Sequence, residues 1–322
     1  MKRRFLIPIF LVLVMALSAC APSTPSNSAQ GGGTITVEDM KGSVEIPANP
    51  QRIVDVAGLS DELIILGVPF IASANTNMFD GVTVPAYLQD YFTENKVETV
   101  GNYSGAVGDL NLEKIAELKP DLIIMNIRHE KVYEQLKGIA PTVMINDDIN
   151  FVNWRGRFEQ LGQWFGKEDE AAQWLKAYDD KAAELTTQIK EIVGNETVAV
   201  LEANSVHFGS YYVYRTGGPG ELVYDELELI PSAGVPEGVW GEVVDAEYFA
   251  KIDADHIFFF SDDGQVGDTA DSPAWQSLKA VKNGNVYLGM NSLQYDMAYS
   301  ANGKLLYMEK LANAIINHGN VE

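Results

Sequence analysis

Short apolar runs, bounded by Gly, Pro or Asn, alternate along the chain with short stretches of helical periodicity. Gln51–Ala57 reads as a buried strand. It leads into Ser60–Gly67, a helix with Ser60 as N-cap and Gly67 as C-cap. Val68–Ala74 is the next strand. Leu112–Leu118 is helical and stops before Lys119-Pro120, and Asp121–Asn126 is an apolar strand. Val132–Gly138 is helical again, and Thr142–Asn146 is a strand. Strands alternating with short helices predict parallel α/β layering.

A longer pattern follows. From Lys167 to Val193, the residues Ala172, Leu175, Tyr178, Ala182, Leu185, Ile189 and Ile192 recur at spacings of three and four, and Gly194-Asn195 ends the run. Strand–helix alternation restarts directly afterwards, so this helix reads as a spine between two lobes. Strands are expected at Thr197–Glu202, His256–Phe260 and Val286–Gly289. Helices are expected at Gly220–Leu227, Asp245–Lys251, within Ser272–Val281 and at Ala298–Asn317. Asn111–Met125 and Asp245–Phe260 share one order, a helix and then an apolar strand, which suggests an internal repeat. The expected organisation is 34–152 for a first lobe, 153–195 for a helical connection and 196–322 for a second lobe with a terminal helix.

The N-terminal segment has a different character. Lys2, Arg3 and Arg4 precede an apolar run, Phe5–Leu17, that is too short to span a bilayer comfortably. It ends in Leu17-Ser18-Ala19-Cys20, small residues before a cysteine, as in an export signal. Residues 1–19 are therefore expected to be removed. Cys20 is the single cysteine of the chain, so no intrachain disulfide competes for its thiol. Residues 20–33, rich in Pro, Ser, Asn, Gln and Gly, have no apolar period and read as a flexible tether. The formal charge is −22, and loss of the three leader cations makes the body still more acidic. An acidic body argues against nucleic acid or anionic lipid as partner.

The catalytic motifs sought are missing. There is no Gly-x-Ser-x-Gly, no HExxH and no cysteine nucleophile, and the acid pairs Asp147-Asp148 and Asp262-Asp263 lie in polar loops. A secreted hydrolase is thus the weaker reading, and an adhesive surface protein lacks its expected repeats. Gly217-Gly218-Pro219-Gly220 has no following Lys-Ser/Thr and is not a phosphate loop. His129, His207, His256 and His318 show no metal-ligand spacing, which disfavours a bare zinc or manganese carrier. His256, beside an apolar strand, reads as structural.

Several stretches together carry a family resemblance: Lys41-Gly42-Ser43-Val44-Glu45-Ile46-Pro47 with Asn49-Pro50-Gln51-Arg52-Ile53-Val54, Asp61–Val68, Asn111-Leu112-Glu113-Lys114-Ile115-Ala116-Glu117-Leu118-Lys119-Pro120-Asp121-Leu122-Ile123-Ile124, Ile139–Val143 and Ala280–Tyr287. In this order the chain resembles the class III binding proteins that feed ABC importers of iron chelates and cobalamin. Leu17–Cys20 likewise resembles the bacterial lipobox, which implies acylation of Cys20 and attachment to the outer face of the membrane. The resemblance implies an α/β fold of two Rossmann-like lobes, one long rigid connecting helix and a ligand cleft between the lobes. It implies a monomer that carries a ferric siderophore as cargo, with no resident cofactor, and that docks on a permease dimer through one glutamate per lobe. By motif these are Glu113 and Glu247; both also stand near expected helix N-termini, where a carboxylate is favoured.

Ligand loops in such lobes lie at the carboxyl ends of strands. That places Asn102–Gly105, Arg128-His129, Asn153-Trp154-Arg155 and Ser210–Gly218 at the cleft, with Trp240 and Tyr295 in second-lobe loops. A ferric chelate needs aromatic faces for its apolar backbone and cations for its iron-bound oxygens. Arg215 leads the candidates, followed by Tyr103, Trp154, Arg128 and Tyr214, then Arg155, Tyr212, Trp240 and Tyr295. In members that bind hydroxamate chelates, an Arg and aromatics of the second lobe touch the ligand, so a ferric hydroxamate is the expected cargo. Haem, with His207 or a Met as axial ligand, or cobalamin is the alternative.

Overall fold

The computed structural model describes residues 33–322 except 79, 106–108, 148–152 and 205–208. Cys20, the tether, Asp148 and His207 therefore lie outside the described residues. The chain opens with an antiparallel hairpin, β1 (Thr34–Asp39) and β2 (Gly42–Pro47). A five-stranded parallel sheet follows: β3 (Ile53–Val56), β4 (Phe70–Ser73), β5 (Glu98–Thr99), β6 (Leu122–Met125) and β7 (Thr142–Met144), in the order β5-β4-β3-β6-β7. The central strands β3 and β6 are buried at every residue. That is why β6 reads as an unbroken apolar run and β3 as one interrupted only by the buried Asp55.

The second sheet comprises β8 (Thr197–Asn204), β9 (Ser210–Tyr214), β10 (Ile230–Pro231), β11 (Gly241–Val244), β12 (His256–Ser261) and β13 (Val286–Met290). Its order is β11-β9-β8-β12-β13, with β10 beside the start of β8. The strands β10, β8, β12 and β13 pair in parallel, whereas β9 pairs antiparallel with both β8 and β11, so β9 alone runs against the others. The second lobe is thus a Rossmann-like parallel sheet with one reversed strand.

The internal repeat is present in detail. Asn111 caps the helix Leu112–Glu117 by accepting from Lys114 N, and Asp245 caps the 3-10 helix Ala246–Lys251 by accepting from Tyr248 N. Ten residues beyond each cap, an aspartate holds the first amides of a central strand. Asp121 accepts from Gln51 N and Arg52 N before β3, and Asp255 accepts from Thr197 N of β8. The same segment therefore builds the middle of each lobe.

Two helices connect the lobes, Trp154–Phe165 and Glu168–Val193, joined at Gly166 in a left-handed conformation (φ 63°). The longer one, 26 residues, spans about 39 Å. Its buried face runs through Ala171, Leu175, Tyr178, Ala182, Leu185, Ile189 and Val193. At its two ends the apolar face falls on Ala171 and Val193; Ala172 and Ile192, expected there, are exposed. The terminal helix, expected at Ala298–Asn317, spans Ala301–Ile316 after an extended Ser300, and a helix that was not expected, Asn291–Met297, precedes it. No helix among the described residues is long and apolar enough to cross a membrane.

Candidate functional site

The carboxyl ends of the two sheets meet. Asn77, after β4, donates to Ser292 O (3.3 Å) and to the Asp296 carboxylate, both after β13. Tyr87 OH bonds Ser300 Oγ at 2.9 Å. Aromatic rings of both lobes approach one another along this boundary, which ends in a buried polar junction.

On the first lobe, side-chain amides bind the loops together. Asn102 Nδ2 donates to Thr76 O and Thr76 Oγ1, both at 3.0 Å, and its Oδ1 accepts from Ser104 N. Asn126 Nδ2 donates to Ala57 O (3.1 Å) and Tyr103 O (3.0 Å), and its Oδ1 accepts from Arg128 N. Arg128 Nη1 donates to Ser104 O at 3.2 Å, and His129 Nε2 bonds Asn102 O. These bonds position Tyr103 and Arg128 at the cleft. The Tyr103 ring lies on Gly58, where a Cβ would overlap it. Burial raises the Tyr103 phenol, with Arg157 and Arg128 opposing and Asp296 of the other lobe reinforcing.

The turn holding Gly58 is set by Asp55, which is buried and accepts from Ala57 N, Gly58 N, Leu59 N, Ser60 Oγ and Ser73 Oγ. Ser60 is therefore not the expected N-cap. It is the first helical residue of Ser60–Ile65, and its hydroxyl is drawn to Asp55.

On the second lobe, Tyr212 and Tyr214 of β9 meet edge-on at 4.8 Å. Trp240 lies parallel to Tyr299 at 6.3 Å between ring centroids. Gly217 sits under Trp240, and any Cβ there would fall inside the indole. Tyr295 OH (3.0 Å) and Tyr214 OH both donate to Glu202. Burial raises the Tyr299 phenol, and its field includes Tyr103 and Arg128 of the opposite lobe. Tyr103, Arg128, Tyr212, Trp240 and Tyr299 are thus brought together, with Tyr214 and Tyr295 behind them. Tyr299, Asn126, Asn77 and Asp296 were not among the expected site residues. The one signal in sequence was Asn126, a polar residue closing a wholly apolar strand.

Three candidates are placed elsewhere. Arg215 points away from the cleft: its guanidinium lies 5.2 Å from the Tyr224 ring centroid and 3.3 Å from Asp225. Tyr224 OH reaches Val198 O, at the amino end of β8. The backbone of Arg215 stays beside the cleft wall, its N donating to Trp240 O at 2.9 Å; only its guanidinium is taken up by Tyr224 and Asp225. Trp154 is 1% exposed, packed on Tyr178 (4.9 Å) and bonded through Nε1 to Glu221, so it has no face for a ligand. Arg155 pairs with Asp179 and Glu226 and stacks on Trp154. Both stand in the first turn of a helix, where a loop was expected.

The closed end of the cleft is an inter-lobe junction. Glu62 accepts from Ala301 N, and Asp61 from Gly303 N and Ser300 Oγ, so two first-lobe acids cap the terminal helix of the second. Arg157, 2% exposed, pairs with Asp147 (2.6 Å) and Glu62 (3.5 Å) and donates to Tyr299 O.

Glu113 and Glu247 occupy the same place in the repeat, second residue of their helices. Both are exposed, and neither has an ion-pair partner among the described residues. Each borders a surface hollow, of about 480 and 410 Å³ respectively. His256 is held by Tyr287 OH and Glu196, as expected of a structural histidine. Among the described residues no three His, Cys, Asp or Glu are grouped to hold a metal ion.

Comparison with known proteins fits this geometry. The periplasmic binding protein family matches residues 89–293, more than half of the chain, and the chain belongs to that family. It is 29% identical to the iron(3+)-hydroxamate-binding protein FhuD of Bacillus subtilis (strain 168), over 86% of this chain and 87% of that one. It is 31% identical to the Fe(3+)-citrate-binding protein YfmC of the same organism, over 88% of both. Among solved structures, Staphylococcus aureus SirA complexed with staphyloferrin B superposes with a TM-score of 0.69 at 26% identity, covering 88% of this chain and 99% of that one. The family is one of binding proteins, not of enzymes.

Proposed function

We propose that this protein captures a ferric siderophore outside the cytoplasmic membrane and delivers it to an ABC permease, held near that permease by lipid on Cys20. The observation that carries the reading is the aromatic cleft formed by Tyr103 and Arg128 against Tyr212, Trp240 and Tyr299. Rings of this kind supply large area at little entropic cost, which suits an organic chelate wrapped around iron. A tether of about a dozen residues would raise the effective concentration of loaded protein at the permease.

The relatives named above bind hydroxamate, citrate and staphyloferrin complexes, so the cargo class is argued from charge. Near the walls, the two cations Arg128 and Arg157 are offset by Asp296, Asp61 and Asp147. Among the described residues the cleft thus offers no net positive field. A ferric trihydroxamate, whose three ligand charges cancel those of iron, fits such a cleft; a ferric tricatecholate, with three net negative charges, does not. Titration of purified protein with ferric chelates tests this, with Trp240 as fluorescent reporter. The absence of any response to ferric hydroxamates would overturn it.

One substitution tests the walls directly. Gly217→Ala forces Trp240 off its seat, at a cost of about 1–3 kcal/mol for an overpacked position. The expected result is a loss of chelate affinity of roughly 5- to 100-fold, a shifted tryptophan emission and an intact far-ultraviolet spectrum. Unchanged affinity would remove Trp240 from the binding face.

A further inference from the structure

Glu202 is wholly buried at the carboxyl-terminal part of β8, the central strand of the second lobe. Four neutral side chains converge on it: Tyr214 OH from β9, Tyr295 OH and the Gln294 amide from the helix Asn291–Met297, and Asn204 Nδ2 two residues along its own strand. Asn204 Nδ2 also reaches Tyr295 OH at 3.2 Å, which closes the ring of bonds. Hydrogen bonds oppose the desolvation of this carboxylate, and no cation takes part. Burying a carboxylate is costly unless its oxygens are well bonded, and a valine or leucine would fill the strand position at no such cost. Its partners belong to the aromatic face: Tyr214 meets Tyr212 edge-on, and a Cβ at Gly218 would touch both Tyr214 and Tyr299.

The first lobe has a counterpart. Asp55, near the end of the central strand β3, is likewise buried, with five neutral donors and no cation. It fixes the turn whose Gly58 seats Tyr103. Aligned on the caps Asn111 and Asp245, Asp55 corresponds to Val200, so Glu202 stands two residues further along the same strand face.

We infer that Glu202 is the positioning residue of the second lobe's ligand face: its two oxygens fix the rings of Tyr214 and Tyr295, and through them the wall of Tyr212 and Tyr299, in the orientation that receives the ligand. The inference rests on the cleft being the chelate site. A group that is fully bonded and out of reach of solvent does not touch the ligand; it determines where the touching groups stand, as pre-organisation requires.

The test compares Glu202→Leu with Glu202→Gln. Leucine leaves two phenols and two amides without their acceptor, whereas glutamine keeps one acceptor oxygen and lets a neighbouring amide turn. Near-ultraviolet circular dichroism of the unliganded proteins reads tyrosine order without any ligand. The expected result is a weakened tyrosine band in the leucine variant and a near wild-type band in the glutamine variant. Ferric hydroxamate affinity should fall at least about 30-fold with leucine and less than about 5-fold with glutamine, with far-ultraviolet spectra preserved. An unaltered tyrosine band in the leucine variant would overturn the inference. Equal affinity losses in the two variants would also do so, by showing that the charge itself meets the ligand. If wild-type protein binds no ferric chelate, the functional reading fails, and the dichroism comparison still decides the positioning role. If the leucine variant does not fold, the glutamine variant decides: a near wild-type band and affinity support the inference, and a collapsed band or a 30-fold loss overturns it.

Discussion

Glu113→Ala combined with Glu247→Ala is expected to abolish chelate-dependent iron uptake in cells and to leave the affinity of the purified protein for its chelate unchanged. The two carboxylates are exposed, and their helices are capped by the neighbouring Asn111 and Asp245, not by themselves. Neither supports the fold, so each substitution is expected within about 0.5 kcal/mol of wild type. What distinguishes them from the other surface acids is the repeat. The segment that builds the centre of each lobe presents a glutamate at the same helical position twice. A partner with two related subunits is met by two related surfaces. Charge pairs at such surfaces set register and association rate, so each single variant retains part of the uptake and the double variant retains none. A loss of chelate affinity in the double variant would contradict the docking role and return the residues to the cleft or to folding.

The second large effect is expected at the junction. Arg157→Ala leaves Glu62 and Asp147 buried without their shared cation. Breaking a buried pair in this way costs about 3–5 kcal/mol, which corresponds to a fall in Tm on the order of 10 °C. Glu62→Gln behaves differently. Burial and the adjacent Asp61 hold the Glu62 carboxyl well above the usual range, with Arg157 opposing. The folded protein therefore binds this proton more tightly than the unfolded chain does. The stability contributed is full below the unfolded value and is lost as pH rises through the folded one. Asp296, pushed up to about 6 by burial, acts in the same direction between about pH 4 and 6. Wild-type protein should thus lose stability from pH 4 to pH 8, and Glu62→Gln, which carries its hydrogen permanently, should flatten part of that slope. Thermal melts across this range decide it; an unchanged slope in Glu62→Gln would mean that Glu62 is ionised throughout.

The layering of the fold was legible because its central strands are buried on both faces and read as apolar runs bounded by caps. The repeat was legible for the same reason, since Asn111 and Asp245 precede similar helix–strand units. The site was harder. Arg215 was misplaced because residue type does not reveal a side chain's local partners: its guanidinium is taken up by Tyr224 and Asp225 of its own lobe. Trp154 was misplaced because its helix includes Gly156 and Gly162 and lacks a side-chain cap, so its start looked like a loop. Tyr299 was hidden in the first turn expected of the helix Ala298–Asn317, whereas the helix starts only at Ala301 and leaves Tyr299 in the link before it. Glu202 and Asp55 were invisible as a pair, because a buried acid and an exposed one are the same letter until the donors around them are known.

The central claim is capture of a low-charge ferric chelate between the two aromatic faces. Its most direct test is equilibrium titration of the purified protein with a ferric trihydroxamate, a ferric tricatecholate, ferric citrate, haem and cobalamin, followed by tryptophan fluorescence at fixed ionic strength. Quenching by the trihydroxamate at least about 100-fold tighter than by the tricatecholate is the result predicted from the charge balance of the cleft. Tight binding of the tricatecholate alone, or of haem or cobalamin alone, would contradict it.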